Sequence, residues 1–200
     1  MKGHWENIYS TKQPNQMSWT QKIPEISLKL IKTFKISKTA NIIDVGGGQS
    51  TLIDFLLASG YKNISVLDIS KNAIMQAKNR LGEKAKKVNW IESNIIDFKS
   101  SETYDLCHDR AAFHFLTNKE DIDKYLKNIS KFSKRLIIGT FSNEGPKKCS
   151  GLDIKQYDEN SMKQTFEKVG FKSISFSRSD HNTPSNAIQK FIFGAFEKDL

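Results

Sequence analysis

Short apolar runs alternate with amphipathic stretches along nearly the whole chain. From Ile23 to Phe34, apolar residues fall at Ile23, Ile26, Leu30, Ile31 and Phe34, a stripe with helical spacing, and Pro24 is tolerated in a first helical turn. Asn41-Ile42-Ile43-Asp44-Val45 follows, a β-branched, almost unbroken run of the kind a parallel strand covered on both faces requires. Gly46-Gly47-Gly48 ends that run, and Leu52, Ile53, Phe55, Leu56 and Leu57 mark a helix stopped by Gly60. The same unit recurs: a strand from Ile64 to Asp68, a helix capped by Ser70 and running to about Arg80, and a strand from Lys87 to Ile91. Tyr104 to His108 and Leu136 to Phe141 read as further strands, with a helix from about Lys119 to Phe132 between them. Five such repeats imply a doubly wound parallel sheet. Glu159 to Val169 predicts one more helix. Phe171 to Ser177 and Gln189 to Glu197 are strand-like, and a polar turn containing Pro184 separates them. A hairpin fits that gap and a crossover helix does not, so the sheet is expected to end in an antiparallel pair.

Composition narrows the class. The 200 residues, 38% hydrophobic and 26% charged, suit one α/β domain with a single sizeable core. Lys plus Arg number 31 against 22 Asp plus Glu, a net charge of +9, which raises the question of an anionic partner. The basic residues are dispersed, however: Lys29, Lys32, Lys35 and Lys38 lie in one helical stretch, and Lys84, Lys86 and Lys87 in one loop. No aromatic platform accompanies them, so solvated faces are expected and no nucleic-acid partner. Cys107 and Cys149 are the only cysteines, too few for a disulfide framework or a four-thiolate zinc site, and no metal is expected. Residues 1–20 lack a signal-length apolar core and no segment approaches the roughly 20 apolar residues of a membrane span. A soluble, cytoplasmic protein without a membrane partner is the expectation.

In an open α/β sheet, ligands bind beyond the carboxyl ends of the strands near the point where strand order reverses. After the first strand, glycines let the backbone turn sharply and approach a ligand closely. Asp44 stands two residues before Gly46; its carboxylate repels a diphosphate but attracts a cationic sulfonium and ammonium group. The G-x-G-x-x-G pattern of dinucleotide sites is also incomplete, since Thr51 takes the third glycine's place. Asp68, 20 residues beyond Gly48, has the spacing of a carboxylate that accepts from ribose hydroxyls, or else serves as a dipole partner for the next helix. Ile69 suits an adenine face. Ser93-Asn94-Ile95 falls where an adenine edge lies, with Asn94 either accepting from the exocyclic amine or acting as a turn residue.

Asp44-Val-Gly-Gly-Gly, Val66-Leu-Asp68-Ile-Ser, Asn94-Ile-Ile-Asp97 and Tyr104-Asp-Leu-Cys-His108 are similar, in order and spacing, to the successive motifs of class I S-adenosylmethionine-dependent methyltransferases. The likeness covers roughly residues 23 to 197; Asn94 departs from the Asp that many members carry. It implies a Rossmann-like, doubly wound α/β sheet of seven strands in the order 3-2-1-4-5-7-6, the last antiparallel. It also implies S-adenosyl-L-methionine as methyl donor, S-adenosyl-L-homocysteine as product, and a methyltransferase domain over 23–200 behind a lid segment, 1–22. Cofactor contacts are then expected from Trp19, Asp44, Gly46, Gly48, Asp68, Ile69, Asn94, Ile95 and His108. Asp109-Arg110 and the aromatic lead-in of Trp5, Tyr9 and Trp19 resemble the thiopurine, thiol and halide methyltransferase group. That points to a small-molecule methyl acceptor, first a thiol or sulfide, with Tyr9, Arg110 and Phe141 on the substrate.

Aromatic rings over the cofactor would exclude water from a reaction that neutralises charge. A thiol must lose its proton, and His108, Asp109 and His114 are the candidate acceptors, while Arg110 either stabilises a thiolate or holds a carboxylate. Plainer roles stand beside these: an Asp109–Arg110 pair that braces a loop, a core histidine at His114 between Phe113 and Phe115, and a filling thiol at Cys107. A protein lysine or a small carboxylate is the alternative acceptor, and an NAD-binding oxidoreductase the remoter alternative. No Asn-Pro-Pro-aromatic motif of base methylation follows the fourth strand.

Overall fold

The β-branched runs pair into one sheet in a computed structural model that describes residues 1–198. Its strands are β1 (Asn41–Val45), β2 (Asn63–Asp68), β3 (Val88–Glu92), β4 (Leu106–Arg110), β5 (Arg135–Phe141), and the long pair β8 (Phe171–Asn182) and β9 (Ile188–Lys198). A separate small hairpin is formed by β6 (Lys148–Cys149) and β7 (Leu152–Asp153). The order across the main sheet is β3-β2-β1-β4-β5-β9-β8. This is the expected order of a class I methyltransferase, because the small hairpin lies outside the sheet and β8 and β9 are its sixth and seventh strands. β1 to β5 run parallel, and β9 is antiparallel to both its neighbours.

Alternation along the strands divides the apolar side chains between two layers. Ile42, Leu106 and Ile137 join the cluster formed with α1 (Lys2–Thr11), α2 (Glu25–Thr33), α3 (Leu52–Ala58) and α4 (Lys71–Leu81). Ile43, Val45, Cys107, Leu136 and Ile138 face the other way, onto α5 (Lys119–Phe132) and α6 (Glu159–Glu167). Polar residues begin the helices where orphan N–H groups need acceptors: Ser70 accepts from Ala73, Asn118 from Asp121 and Asp158 from Ser161.

Four local features differ from the expectation. The fourth strand starts at Leu106 rather than Tyr104, which makes only an isolated bridge to Ser133, and it continues to Arg110. Its crossover from β3, residues 93–105, contains no helix. There the Asn94 side-chain oxygen takes the Ile96 N–H, the Asn94 carbonyl takes those of Asp97 and Phe98, and Asn128 caps the Ile95 and Ile96 carbonyls. These bonds close a single turn at residues 94–98 that does not continue as a helix, and Asn128 takes two of the carbonyls a continuing helix would use. β8 extends to Asn182, past the polar stretch where alternation fades. Residues 2–11 form α1, whose weak periodicity buries only Trp5, Ile8 and Tyr9. That helix is held by tertiary bonds: the Glu6 carboxylate accepts from the Lys71 and Asn72 N–H groups and the Ser70 hydroxyl at the start of α4. Among the described residues no helix is long and apolar enough to cross a membrane.

Candidate active site

The glycine turn after β1 is shaped around two buried carboxylates. Gly46 adopts φ +68°, a region that strains any residue with a Cβ, and a Cβ there would lie 2.7 Å from that of Ala112. A Cβ on Gly47 would fall 2.2 Å from Asp44 Oδ2, and one on Gly48 2.6 Å from Asp68 Oδ2. Backbone therefore rides directly over both acids. Asp68 Oδ2 accepts the Gly48 N–H at 2.9 Å and Oδ1 the Ser70 N–H at 2.8 Å. Burial nevertheless pushes the Asp68 carboxyl up to about 6, an effect those two N–H groups partly offset and the nearby Asp44 reinforces.

Asp44 is held differently. The parallel register places it opposite His108 on β4, and its Oδ1 lies 2.7 Å from His108 Nδ1. His108 Nε2 continues to the Ser27 hydroxyl on α2 at 2.9 Å, so the imidazole has no free nitrogen. Oδ2 of Asp44 is buried without any partner. A buried carboxylate oxygen left unbonded is costly, and a cationic group entering beneath the turn would satisfy it.

Two adjoining cavities open here on the α1–α4 side of the sheet. One runs over Asp68, Ile69, Asn94 and Ile95 between apolar walls; the other passes Asp44, Gly47 and Ser50. They share Tyr9, Trp19, Gly46 and Arg110. Of the expected cofactor residues, Trp19, Asp44, Gly46, Asp68, Ile69, Asn94, Ile95 and His108 line one cavity or the other, while Gly48 lies behind Asp68, donating its N–H to it. Asn94 turns its side-chain oxygen Oδ1 back to accept the Ile96 N–H.

The four residues Cys107 to Arg110 are not brought to one place, because successive strand residues face opposite ways. His108 and Arg110 share the cavity face. Asp109 points into the α5 layer, fully buried, where Oδ1 accepts the Ala112 and Phe113 N–H groups, each at 3.0 Å, and Oδ2 the Tyr125 hydroxyl at 2.8 Å. Those bonds secure Ala111, a cavity-lining residue at φ +66°. Burial pushes the Asp109 carboxyl up to about 6. His114 is fully buried between the rings of Phe115 and Phe141. Its Nδ1 accepts from the Phe141 N–H at 3.4 Å, which leaves the proton on Nε2. Burial, then the nearby Arg110, lower its pKa to about 3, so it is neutral near pH 7. Phe141 lies between His114 and Phe191.

Aromatic residues of the N-terminal segment close over the cavities. Trp5 packs edge-on against Phe115 and Trp19, and Tyr9 against Trp19. Gln76 holds the Tyr9 carbonyl, Arg110 the Trp19 carbonyl and His181 the Ser18 carbonyl. Sequence reasoning missed Ser27, Glu6 and His181, whereas the Cys149-Ser-Gly-Leu segment reads from the sequence as a loop over this end of the sheet. Cys149 reaches the cavity because β6 and β7 meet at Ser150 and Gly151, at φ +50° and +81°, and Ser-Gly is the only sequence signal for that turn. The other three depend on long-range register.

Residues 43–135 match the family described as a methyltransferase domain. Malonyl-[acyl-carrier protein] O-methyltransferase 2 of Ilyobacter polytropus is 28% identical over 105 residues, 52% of this chain but only 40% of that protein's length. Among solved structures, the N-methyltransferase NodS from Bradyrhizobium japonicum, in complex with S-adenosylhomocysteine, superposes with a TM-score of 0.75 at 14% identity. That match covers 100% of this chain and 98% of NodS. A 1,6-didemethyltoxoflavin-N1-methyltransferase from Burkholderia thailandensis, bound to 1,6-didemethyltoxoflavin and S-adenosylhomocysteine, gives a TM-score of 0.69 at 14% identity over 99% of this chain and 84% of that one. At such identities these structures bear on the fold alone.

Proposed function

We propose that this chain is an S-adenosylmethionine-dependent methyltransferase of class I acting on a small molecule, starting from its methyltransferase-domain match and its fold. The observation that carries the proposal is the unbonded Asp44 Oδ2 beneath the glycine turn, a buried negative site suited to the cofactor's ammonium group and wrong for a diphosphate. Asp68 then takes the ribose hydroxyls, Ile69 and Ile95 sandwich the adenine, and residues 1–22 act as a lid whose Trp5, Tyr9 and Trp19 keep water out. Bound there, S-adenosylmethionine supplies an electrophilic methyl group. Calorimetry with S-adenosylmethionine, S-adenosylhomocysteine and NAD tests this; binding of NAD without either adenosyl ligand would overturn it.

What the chain contributes to transfer is positioning and exclusion of water. None of the three candidate proton acceptors is a free base on the cavity face: both nitrogens of His108 are bonded, Asp109 faces the other layer, and His114 lines neither cavity. The acceptor therefore enters as an anion, and Arg110 is the cation that receives it. A small thiol entering as its thiolate is the preferred reading, supported by the resemblance of Asp109-Arg110 and the aromatic lead-in to thiol methyltransferases. A carboxylate is the second, favoured by the O-methyltransferase named among the relatives. A lysine amine, cationic near pH 7 and beside Arg110, suits the site poorly. Incubating the protein with donor and panels of thiols, carboxylates and proteins, and reading products by mass spectrometry, separates these; methylation of proteins alone would refute the small-molecule assignment.

The Asp68 role carries a pH dependence. Ribose hydroxyls donate to the ionised carboxylate, whose pKa in the free protein is about 6. Affinity for S-adenosylhomocysteine should thus rise as pH is raised from about 5 and level off above about 7, by up to tenfold per unit below the pKa. Titrations across that range, with Asp68→Asn flattening the curve, are the check.

A further inference from the structure

Arg110 is a cavity-lining cation that makes no ion pair with a carboxylate among the described residues. Its Nη1 donates to the Trp19 carbonyl at 3.0 Å, and its guanidinium lies over the Phe191 ring, 4.7 Å from the centroid. These two contacts fix the plane of the group. Nε and Nη2 are buried and have no acceptor at all. The other arginine bordering these cavities, Arg80, is already paired with Asp54 and with the Gln49 and Ser50 carbonyls.

Nε–H and Nη2–H project from the same edge of a guanidinium, parallel and at the spacing of the two oxygens of a carboxylate. Leaving that edge empty in a buried site is unfavourable, whereas a carboxylate fills it with two charge-assisted bonds. We infer that the methyl acceptor carries a carboxylate, separate from its nucleophilic atom, which Arg110 binds through Nε and Nη2. This deepens the small-molecule methyltransferase reading and rests on it.

The edge belongs to the acceptor rather than to the cofactor's own carboxylate because of what surrounds it. The guanidinium packs on Phe191 of β9, which lies beyond β5 and on the opposite side of β4 from β1 and its glycine turn, although Arg110 also borders the cavity that passes Asp44. The rings of Trp5, Trp19 and Phe115 line the same cavity as Arg110 and give it apolar walls on this side, while its polar lining at Asp68, Ser93 and Asn94 lies toward β2 and β3. Burial lowers the Arg110 pKa to about 10, which still leaves it cationic near pH 7. Paired donors in such a compartment select a short acid with an apolar body, such as a mercaptoalkanoate, over its uncharged counterpart.

Calorimetry on the S-adenosylhomocysteine-loaded protein tests the assignment with four probes: mercaptoacetate and 3-mercaptopropionate against 2-mercaptoethanol and methyl 3-mercaptopropionate. The two acids are expected to bind about ten- to a hundredfold more tightly than the uncharged thiols. Arg110→Gln should abolish that preference. Arg110→Lys, which keeps the charge but loses the fork, should retain only part of it, with melting curves verifying both variants as folded. Because either variant also alters the Arg110–Trp19 contact, any change in S-adenosylhomocysteine affinity should be shared equally by 5′-methylthioadenosine. If instead Arg110→Gln weakens S-adenosylhomocysteine but spares 5′-methylthioadenosine, the carboxylate on Arg110 is the cofactor's and the inference is overturned. Equal or absent binding of acids and uncharged thiols overturns it as well. Failure of the wild-type protein to bind S-adenosylhomocysteine would remove the methyltransferase reading itself, a different result from either.

Discussion

Replacing Asp109 by alanine is expected to lower the melting temperature by roughly 10 °C, about 3 kcal/mol for a domain of this size. The carboxylate accepts from two backbone N–H groups and the Tyr125 hydroxyl, and alanine would strand all three donors in the core, at about 1–3 kcal/mol each. It would also release the turn that keeps Ala111 at φ +66°, a conformation that costs a non-glycine residue about 1–2 kcal/mol. Against this, removing a carboxyl whose pKa burial has raised to about 6 relieves a penalty of about 3 kcal/mol near pH 7. The sign of that penalty sets the pH dependence. An acid with a raised folded-state pKa costs stability when ionised, so the cost is full above about pH 6 and fades toward its unfolded value near 4. The gap between wild type and Asp109→Ala should therefore widen as pH falls through 6. Asp109→Asn retains an acceptor for the N–H groups and should melt close to wild type. Thermal melts and turnover of the two variants decide: a folded Asp109→Asn protein slowed by the 10²–10⁴-fold typical of a lost general base would make Asp109 a proton acceptor after all.

Asp109 also illustrates how much of the site could be read without coordinates. The strands announced themselves through unbroken β-branched runs such as Asn41–Val45, and the antiparallel end of the sheet through a gap too short for a helix. Asp44 and Asp68 were legible because a glycine turn sits at a fixed place along the chain relative to each of them. Cys107 to Arg110 were not, since adjacency in sequence says nothing about facing until the strand's limits are known. Once β4 is seen to run to Arg110, alternation alone sends His108 and Arg110 to one layer and Asp109 to the other. The pairing of Asp44 with His108 needs the register of β1 on β4, and Ser27 needs the placement of α2. The turn at Asn94 was open to sequence reading as an alternative to an adenine contact, but the Asn128 side chain that ties down the Ile95 and Ile96 carbonyls depends on the placement of α5. The loop around Cys149 could be placed over this end of the sheet, but its two-residue strands are too short to leave a periodic trace of the hairpin.

Asp44→Asn should weaken S-adenosylmethionine and S-adenosylhomocysteine binding by about ten- to a hundredfold, the equivalent of one charge-assisted contact of 1.5–3 kcal/mol. It should leave 5′-methylthioadenosine, which lacks the amino-acid portion, within about twofold of wild type. The reasoning turns on one atom. Oδ1 is engaged by His108, so only Oδ2, buried and unbonded, is available to an ammonium group, and an amide at that place offers no charge. His108 enters as a positioning residue: it orients the carboxylate and is itself anchored on Ser27. His108→Gln should accordingly lose part of the same affinity with the same sparing of 5′-methylthioadenosine. Gly47→Ala reaches the atom by another route, because its Cβ would lie 2.2 Å from Oδ2 and must displace it. A purely structural role for Asp44 predicts a different pattern, in which all three ligands weaken together as the glycine turn shifts. Calorimetry of the three variants with the three ligands distinguishes these patterns, and a parallel loss for 5′-methylthioadenosine would refute the ammonium site. Convergence of Asp44→Asn and Gly47→Ala on one signature would tie the glycine turn and the acid beneath it to a single task, holding a cation in place.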